Sequence, residues 1–327
     1  MLKKLFMLPS KKLNITIPLV LTAGFVAGLY FDTASLKSFI LPVTILMIYP
    51  TMIGIKVSDI LNTAHIKLFK YSFLINFIII PISAYIMGTL FLLEEPQLFA
   101  GLAIASLLPT SNMTIAFTMF AKGNVPAAIT LTVLSLILGS ILAPWYLLVM
   151  VGKYIPINFM LVFKTIILVV FTPMIAGMIT YSLLLKKYSE EQFKKNIKPY
   201  LPAASAWGMM FIVFTSISTN TSIIIANLNI FIVAFLIQIA FYLINYTIAV
   251  VFARSYLNTA DGYALVYSTA LRNLSISIGL AATAFGANAA LMVALAFIIQ
   301  GQAAAYFAKL NEKYQLLKKR CPDNEKR

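Results

Sequence analysis

Apolar residues run in long, nearly unbroken stretches separated by short polar connections. Ten such stretches stand out, at 13–31, 36–55, 68–93, 97–121, 124–151, 158–185, 201–226, 228–253, 260–285 and 287–308. As a helix, each is long enough to cross a hydrocarbon core of ~30 Å. None shows the sustained period-2 alternation of a transmembrane β-strand. The pattern predicts an all-α integral membrane protein with ten transmembrane helices. The first stretch follows Lys3, Lys4, Lys11 and Lys12 in the manner of a signal sequence. It is longer than an h-region and lacks a small-residue cleavage site, so it is read as a retained helix.

Composition agrees. Of 327 residues, 61% are hydrophobic and 11% charged, whereas soluble chains average roughly 45–50% apolar and ~25% charged. This excludes a soluble enzyme, a disordered chain and a nucleic-acid-binding one. The net charge of +15 is explained by placement. Twenty-one of the 25 basic residues fall at the N-terminus, in alternate connections and in the tail, with only Lys37 and Lys153 on the other side. Lys and Arg collect on the cytoplasmic side, so both termini are expected in the cytoplasm of a multi-pass cell-membrane protein. Cys321 and His65 both lie in polar segments, so neither a thiolate cluster nor a histidine metal site is expected.

An internal repeat organises the segments. Asn112 in the fourth aligns with Asn273 in the ninth at an offset of 161, Asn76 with Gln238 at 162, and Gly123 with Gly286 at 163. Five helices per half make the two repeats inverted in topology. The expected layout is an N-terminus over 1–12 and a first repeat over 13–151. Helix 6 follows over 152–185, then a linker over 186–200, helices 7–10 over 201–308 and a basic tail over 309–327.

Inverted-repeat transporters bind solutes and ions where two corresponding helices break near the midplane. The fourth segment carries Pro109, which removes a backbone donor, followed by Thr110, Ser111, Asn112 and Thr114. The ninth carries Ser268, Arg272 and Asn273, with Ser275 and Ser277 beyond. These are the two most polar stretches inside the apolar segments. Helices 4 and 9 are therefore expected to be discontinuous and to cross, with a substrate site formed by Arg272, Asn273, Thr110, Ser111, Asn112 and Thr114. Arg272 lies near mid-membrane, where arginine costs roughly 2.5–3.5 kcal/mol on insertion scales. Two roles stay open for it: binding an anionic or oxygen-rich solute, or tying carbonyls freed by the break in helix 4. All ten acidic residues lie outside the apolar cores, so no buried carboxylate relay for protons is visible. A sodium site would draw on neutral oxygens of Thr114, Thr132, Asn76, Ser268 and Gln238. Asn76 and Gln238 are either ligands or helix–helix ties. Gln300, Gln302 and Asn245 read as packing ties, and Gly28, Gly88, Gly139 and Gly177 as close-packing positions.

The chain resembles the superfamily that joins bile acid:sodium symporters and arsenite-efflux permeases. Pro109 through Ala121-Lys122-Gly123-Asn124 resembles the symporters. Met47-Ile48-Tyr49-Pro50 with Lys56-Val57 resembles the second helix of the permeases. Thr269-Ala270-Leu271-Arg272-Asn273 and Ala284-Phe285-Gly286 resemble the ninth helix of both. The resemblance implies a panel domain of helices 1, 2, 6 and 7 beside a core domain of helices 3–5 and 8–10, working by alternating access. It also implies departures. The glutamate central to the symporters' first sodium site reads Ser268. The serine–asparagine pair of that site reads Thr114 and Ile115, and its fifth-helix pair reads Ala128 and Thr132. The two glutamines of the second sodium site read Asn76 and Arg272. A fixed cation at 272 would repel sodium. The permeases' cysteine and glutamate read Thr110 and Ser275, and arsenite prefers thiolate.

The expected function is a secondary transporter of a small anionic or polar solute with altered or lost sodium coupling. The runner-up is metalloid oxyanion efflux, and a third reading is a membrane sensor without transport, which the short tail disfavours. No cofactor, catalytic residue or nucleic-acid partner is expected; the lipid bilayer is the expected surrounding.

Overall fold

The structure, a computed structural model, describes residues 6–9, 13–54, 66–156, 158–219, 221–226 and 228–317. Lys3, Lys4, Lys11, Lys12, Lys56, His65, Asn220, Cys321 and the tail after Leu317 lie outside the described residues, as does the side chain of Asn112.

The described chain is all helical. The principal helices are α1 (Leu13–Tyr30), α2 (Ile40–Met52), α3 (Ile66–Phe91), α4 (Pro96–Leu107), α5 (Asn112–Phe120) and α6 (Val125–Val151). They continue as α7 (Phe159–Lys187), α8 (Leu201–Ser218), α9 (Leu228–Tyr256), α10 (Thr259–Ala270), α11 (Leu274–Ala284) and α12 (Ala287–Tyr314). Seven helical stretches among the described residues are long and apolar enough to cross a membrane. The fourth apolar segment is divided between α4 and α5, and the ninth between α10 and α11, so neither forms one long helix.

Two long helices carry a π-turn, over Ile75–Ile79 in α3 and Ile167–Phe171 in α7. Each lies just before a proline, Pro81 or Pro173. Proline has no N–H for the carbonyl four residues earlier, and the ladder widens there. For Pro81 that carbonyl is Phe77, and the Tyr146 hydroxyl of α6 donates to it instead.

Packing is tightest within two groups. The first joins α8 to α1 and α2, and α7 to α2. In the second, α12 packs on α4, α9 and α11, α6 packs on α4, and α10 packs on α9. The second group meets the first through α11, which touches α2, α7 and α8, and through α12, which touches α1 and α8. The four expected close-packing glycines behave as such: a Cβ would strike Thr221 at Gly28, Phe99 at Gly88, the Leu107 carbonyl at Gly139 and Met52 at Gly177. The Lys/Glu stretch holds a short helix, Glu190–Asn196, capped by Ser189 and pinned by buried Phe193 against Tyr181.

Candidate functional site

The two breaks meet. α4 packs on α11 and α5 on α10, so the interrupted helices run oppositely and cross at residues 108–111 and 271–273. A helix end leaves carbonyls and N–H groups without intrahelical partners, and at membrane depth water is not freely available to replace them. The breaks supply one another. The Asn273 N–H donates to the Leu108 carbonyl at 2.9 Å. The Thr114 hydroxyl donates to the Tyr267 carbonyl at 3.2 Å. Arg272 Nη1 donates to the Ser106 carbonyl, a longer contact at 3.4 Å.

Each new helix is capped by its own residues. The Asn273 side chain accepts from the Ile276 N–H. Before α5, the Ser111 N–H donates to Thr114 Oγ1 at 3.2 Å. Thr110 sits in the left-handed region at φ 65°, a conformation that costs a β-branched residue roughly 1–2 kcal/mol. Its hydroxyl donates to the Thr132 carbonyl of α6 at 3.3 Å. Gly139 of α6 has no side chain to obstruct the break, and a Cβ there would lie 2.7 Å from the Leu107 carbonyl.

Arg272 is fully buried, at 0% exposed. Its backbone is bracketed by Gln300 of α12. The Arg272 N–H donates to Gln300 Oε1 at 2.8 Å, and Gln300 Nε2 donates to the Arg272 carbonyl at 3.1 Å. The Tyr242 hydroxyl of α9 donates to the same Oε1 at 2.8 Å. The guanidinium lies over the Phe241 ring, 6.0 Å from its centroid, and its Nε and Nη2 have no hydrogen-bond partner among the described residues. A positive charge beside the C-terminal carbonyls of α4 is electrostatically favourable. The contact with Ser106 is the tie to freed carbonyls that the sequence left open.

The other sequence-selected residues divide. Thr110, Ser111, Thr114, Arg272 and Asn273 converge on the crossing. Ser111 and Asn273, with Ser275, are half-buried there, while Thr110, Thr114 and Arg272 are buried behind them. Thr132 contributes its carbonyl, and its hydroxyl bonds to Ala128 in its own helix. Ser268 bonds back to Leu265. Asn76 reaches Ser72, and Gln238 reaches the Met292 carbonyl, so the latter is a helix–helix tie. Each keeps a buried side-chain oxygen without a partner among the described residues.

Sequence reasoning missed the roles of Gln300 and Ser106. Gln300 read as a packing tie, yet it is the bracket of the break. A second polar cluster ties the turn after α5 to the start of α10. Asn124 Nδ2 and Asn258 Nδ2 donate to the two oxygens of Asp261 at 2.7 and 2.8 Å, and the Asn124 N–H donates to the Ala260 carbonyl at 3.0 Å. The two asparagines also cap α6 and α10. The signal was present in Asp261, the acid nearest an apolar core.

The family model described as Sodium Bile acid symporter family matches residues 41–227, more than half of the chain and all of the first break. The chain belongs to the Sodium Bile acid symporter family. Its family assignment makes it a multi-pass membrane transporter rather than an enzyme. Among relatives, it is 22% identical over 243 residues to the uncharacterized protein YbaS of Bacillus subtilis, covering 73% of this chain and 77% of that protein. It is 26% identical over 146 residues to the uncharacterized sodium-dependent transporter YocS of the same organism, covering 44% of this chain and 43% of YocS. It is 22% identical over 218 residues to the probable chloroplastic sodium/metabolite cotransporter BASS1 of Arabidopsis thaliana, covering 65% of this chain and 51% of BASS1. The chain thus spans about half the length of the last two.

Proposed function

We propose that this symporter-family chain moves a small anionic or polar solute across the cell membrane by alternating access, with Arg272 standing in for a coupled sodium ion. The observation that carries the reading is the guanidinium of Arg272, fully buried beside the α4 carbonyl of Ser106. Residue 272 is where the resemblance puts a sodium-ligating glutamine. Two relatives bear sodium in their names, and a fixed cation at this position opposes a mobile one in the same space.

In this reading the solute meets Ser111, Asn112 and Asn273, with Thr110 and Thr114 supporting them from behind. Arg272 supplies positive charge from beneath, at short range in a medium where charge is poorly screened. The fold is read as ten crossings in two inverted repeats with both termini cytoplasmic. The offset of the repeat supports this, and so does a further glycine pair: Gly139 lies against the first break, and Gly301 follows the Gln300 that brackets the second, 162 residues apart. The packing into two groups, joined through α11 and α12, supports a panel of the first, second, sixth and seventh segments (α1, α2, α7 and α8) moving against a core of the remainder. Metalloid efflux is the weaker reading, because Thr110 and Ser275 offer hydroxyls where a soft ion prefers thiolate.

The test is uptake of radiolabelled small carboxylates and other polar anions by proteoliposomes, in sodium and in matched potassium buffer. Uptake indifferent to the cation supports the proposal. Uptake that requires a sodium gradient contradicts it.

A further inference from the structure

Six side-chain nitrogen and oxygen atoms without a partner among the described residues lie along one stretch of the interior: both side-chain atoms of Asn245, the hydroxyls of Tyr246 and Tyr267, and Nε and Nη2 of Arg272. They belong to α9, α10 and the break that follows it. α9, α10 and α12 pack on one another pairwise. Asn245, Tyr267 and Arg272 are each 0% exposed.

Helical spacing puts these groups in line. Gln300, Phe307 and Asn311 share one buried face of α12, at spacings of seven and four. Tyr242, Asn245 and Tyr246 share a face of α9, and Tyr263 and Tyr267 share one of α10. The contacts follow the line. Asn311 Nδ2 donates to the Tyr263 hydroxyl. The Tyr263 and Tyr267 rings stack at 6.3 Å. The Phe307 ring lies 5.6 Å from Tyr267 and 5.4 Å from Tyr246. Tyr242 reaches Gln300, and Gln300 brackets Arg272. Small residues, Ala249 and Ala253 of α9 and Ala304 of α12, continue the faces toward Asn311.

We infer that a column of ordered water runs between α9, α10 and α12, from the Asn311 end to the free edge of the Arg272 guanidinium. Leaving so many polar atoms unbonded in a lipid-embedded interior is far costlier than hydrating them. The groups also select water over an anion. Arg272 only donates, but Asn245 offers both an amide donor and an acceptor, and the tyrosines do both. A ligand that both donates and accepts satisfies the set; one that only accepts leaves the Asn245 oxygen unpaired. The column gives Arg272 a hydration path that snorkelling cannot supply at mid-membrane depth. The column does not depend on which solute is carried.

The test is X-ray radiolytic footprinting of the full-length protein in nanodiscs in 18O-water. Hydroxyl radicals formed at bound water mark nearby aromatic rings. Tyr267, buried like Phe99, is expected to take up 18O at a rate nearer to that of exposed Tyr314 than to that of Phe99. Labelling at the rate of Phe99 overturns the column. Asn245→Leu is expected to slow labelling of Tyr246 and Tyr267 while leaving Tyr314 unchanged. A folded Asn245→Leu protein labelled like the parent also overturns it, and if that variant does not fold, the parent comparison decides. No step reads transport, so this result and the uptake assay fail independently.

Discussion

The Asn273 N–H donates to the carbonyl of Leu108 at 2.9 Å, joining two helix breaks 165 residues apart in sequence. The exchange explains how two interrupted helices coexist in an apolar bundle: each supplies groups that the other leaves unpaired. It also makes the crossing one structural unit, so perturbing either break should be felt at both.

Gln300 holds that unit from α12. Gln300→Leu removes both bonds to the Arg272 backbone and the acceptor for Tyr242. Each buried polar group left unpaired costs about 1–3 kcal/mol, so the melting temperature should fall by several degrees or more. Gln300→Glu keeps the acceptor and loses the donor to the Arg272 carbonyl, and should fall between the two. Equal melting temperatures for Gln300→Leu and the parent would refute the bracket.

Thr110 separates strain from bonding. Thr110→Gly relieves the left-handed conformation by roughly 1–2 kcal/mol while losing a hydrogen bond worth about 1 kcal/mol, so stability should change little. Thr110→Val keeps the strain and loses the bond, and should melt clearly lower. Thermal unfolding of the two variants side by side gives the order, and a reversed order would contradict the strained geometry.

Gly139 tests the approach of α6 to the first break. A Cβ there meets the Leu107 backbone carbonyl at 2.7 Å, and backbone cannot swing aside as a side-chain tip can. Gly139→Ala should cost about 1–3 kcal/mol as overpacking. An alanine variant as stable as the parent would show that the break is loosely seated.

How much of this was legible in the sequence follows from what each feature is made of. The breaks showed because Pro109 and the polar runs 110–114 and 268–273 interrupt long apolar stretches. Thr110, Thr114 and Asn273 were found for the same reason. The carbonyl of Ser106 was not, since every residue has a carbonyl and only the crossing selects this one. Gln300 was read as a tie, as its bonds to Tyr242 and the Arg272 backbone make it, but a lone amide in an apolar helix looks the same whether it ties two helices or brackets a break. The π-turns were missed although Pro81 and Pro173 mark them, because apolar periodicity is blind to one extra residue per turn. Asn76, Gln238 and Ser268 were grouped with a possible ion site by repeat and resemblance; Asn76 and Ser268 bond within their own helices, and Gln238 bonds to α12.

The Asn124–Asp261–Asn258 cluster gives a coupling prediction. Asp261→Asn should lower stability by about 1 kcal/mol, since the cluster is only partly buried. Combined with Asn124→Ala, the double variant should lose less than the two singles together, because they share one bond. Additive losses would mean that the 2.7 Å contact carries no weight.

The most direct test of Arg272 as a fixed cation is the melting temperature of the purified protein and of Arg272→Gln, each in sodium and in potassium, with and without small organic anions. The parent should be stabilised by an anion equally in both salts, by ~2.7 kcal/mol at 100 times its Kd. Arg272→Gln restores the side chain that the resemblance places there, and should lose the anion response and gain one to sodium. Strong stabilisation of the parent by sodium alone would contradict the account.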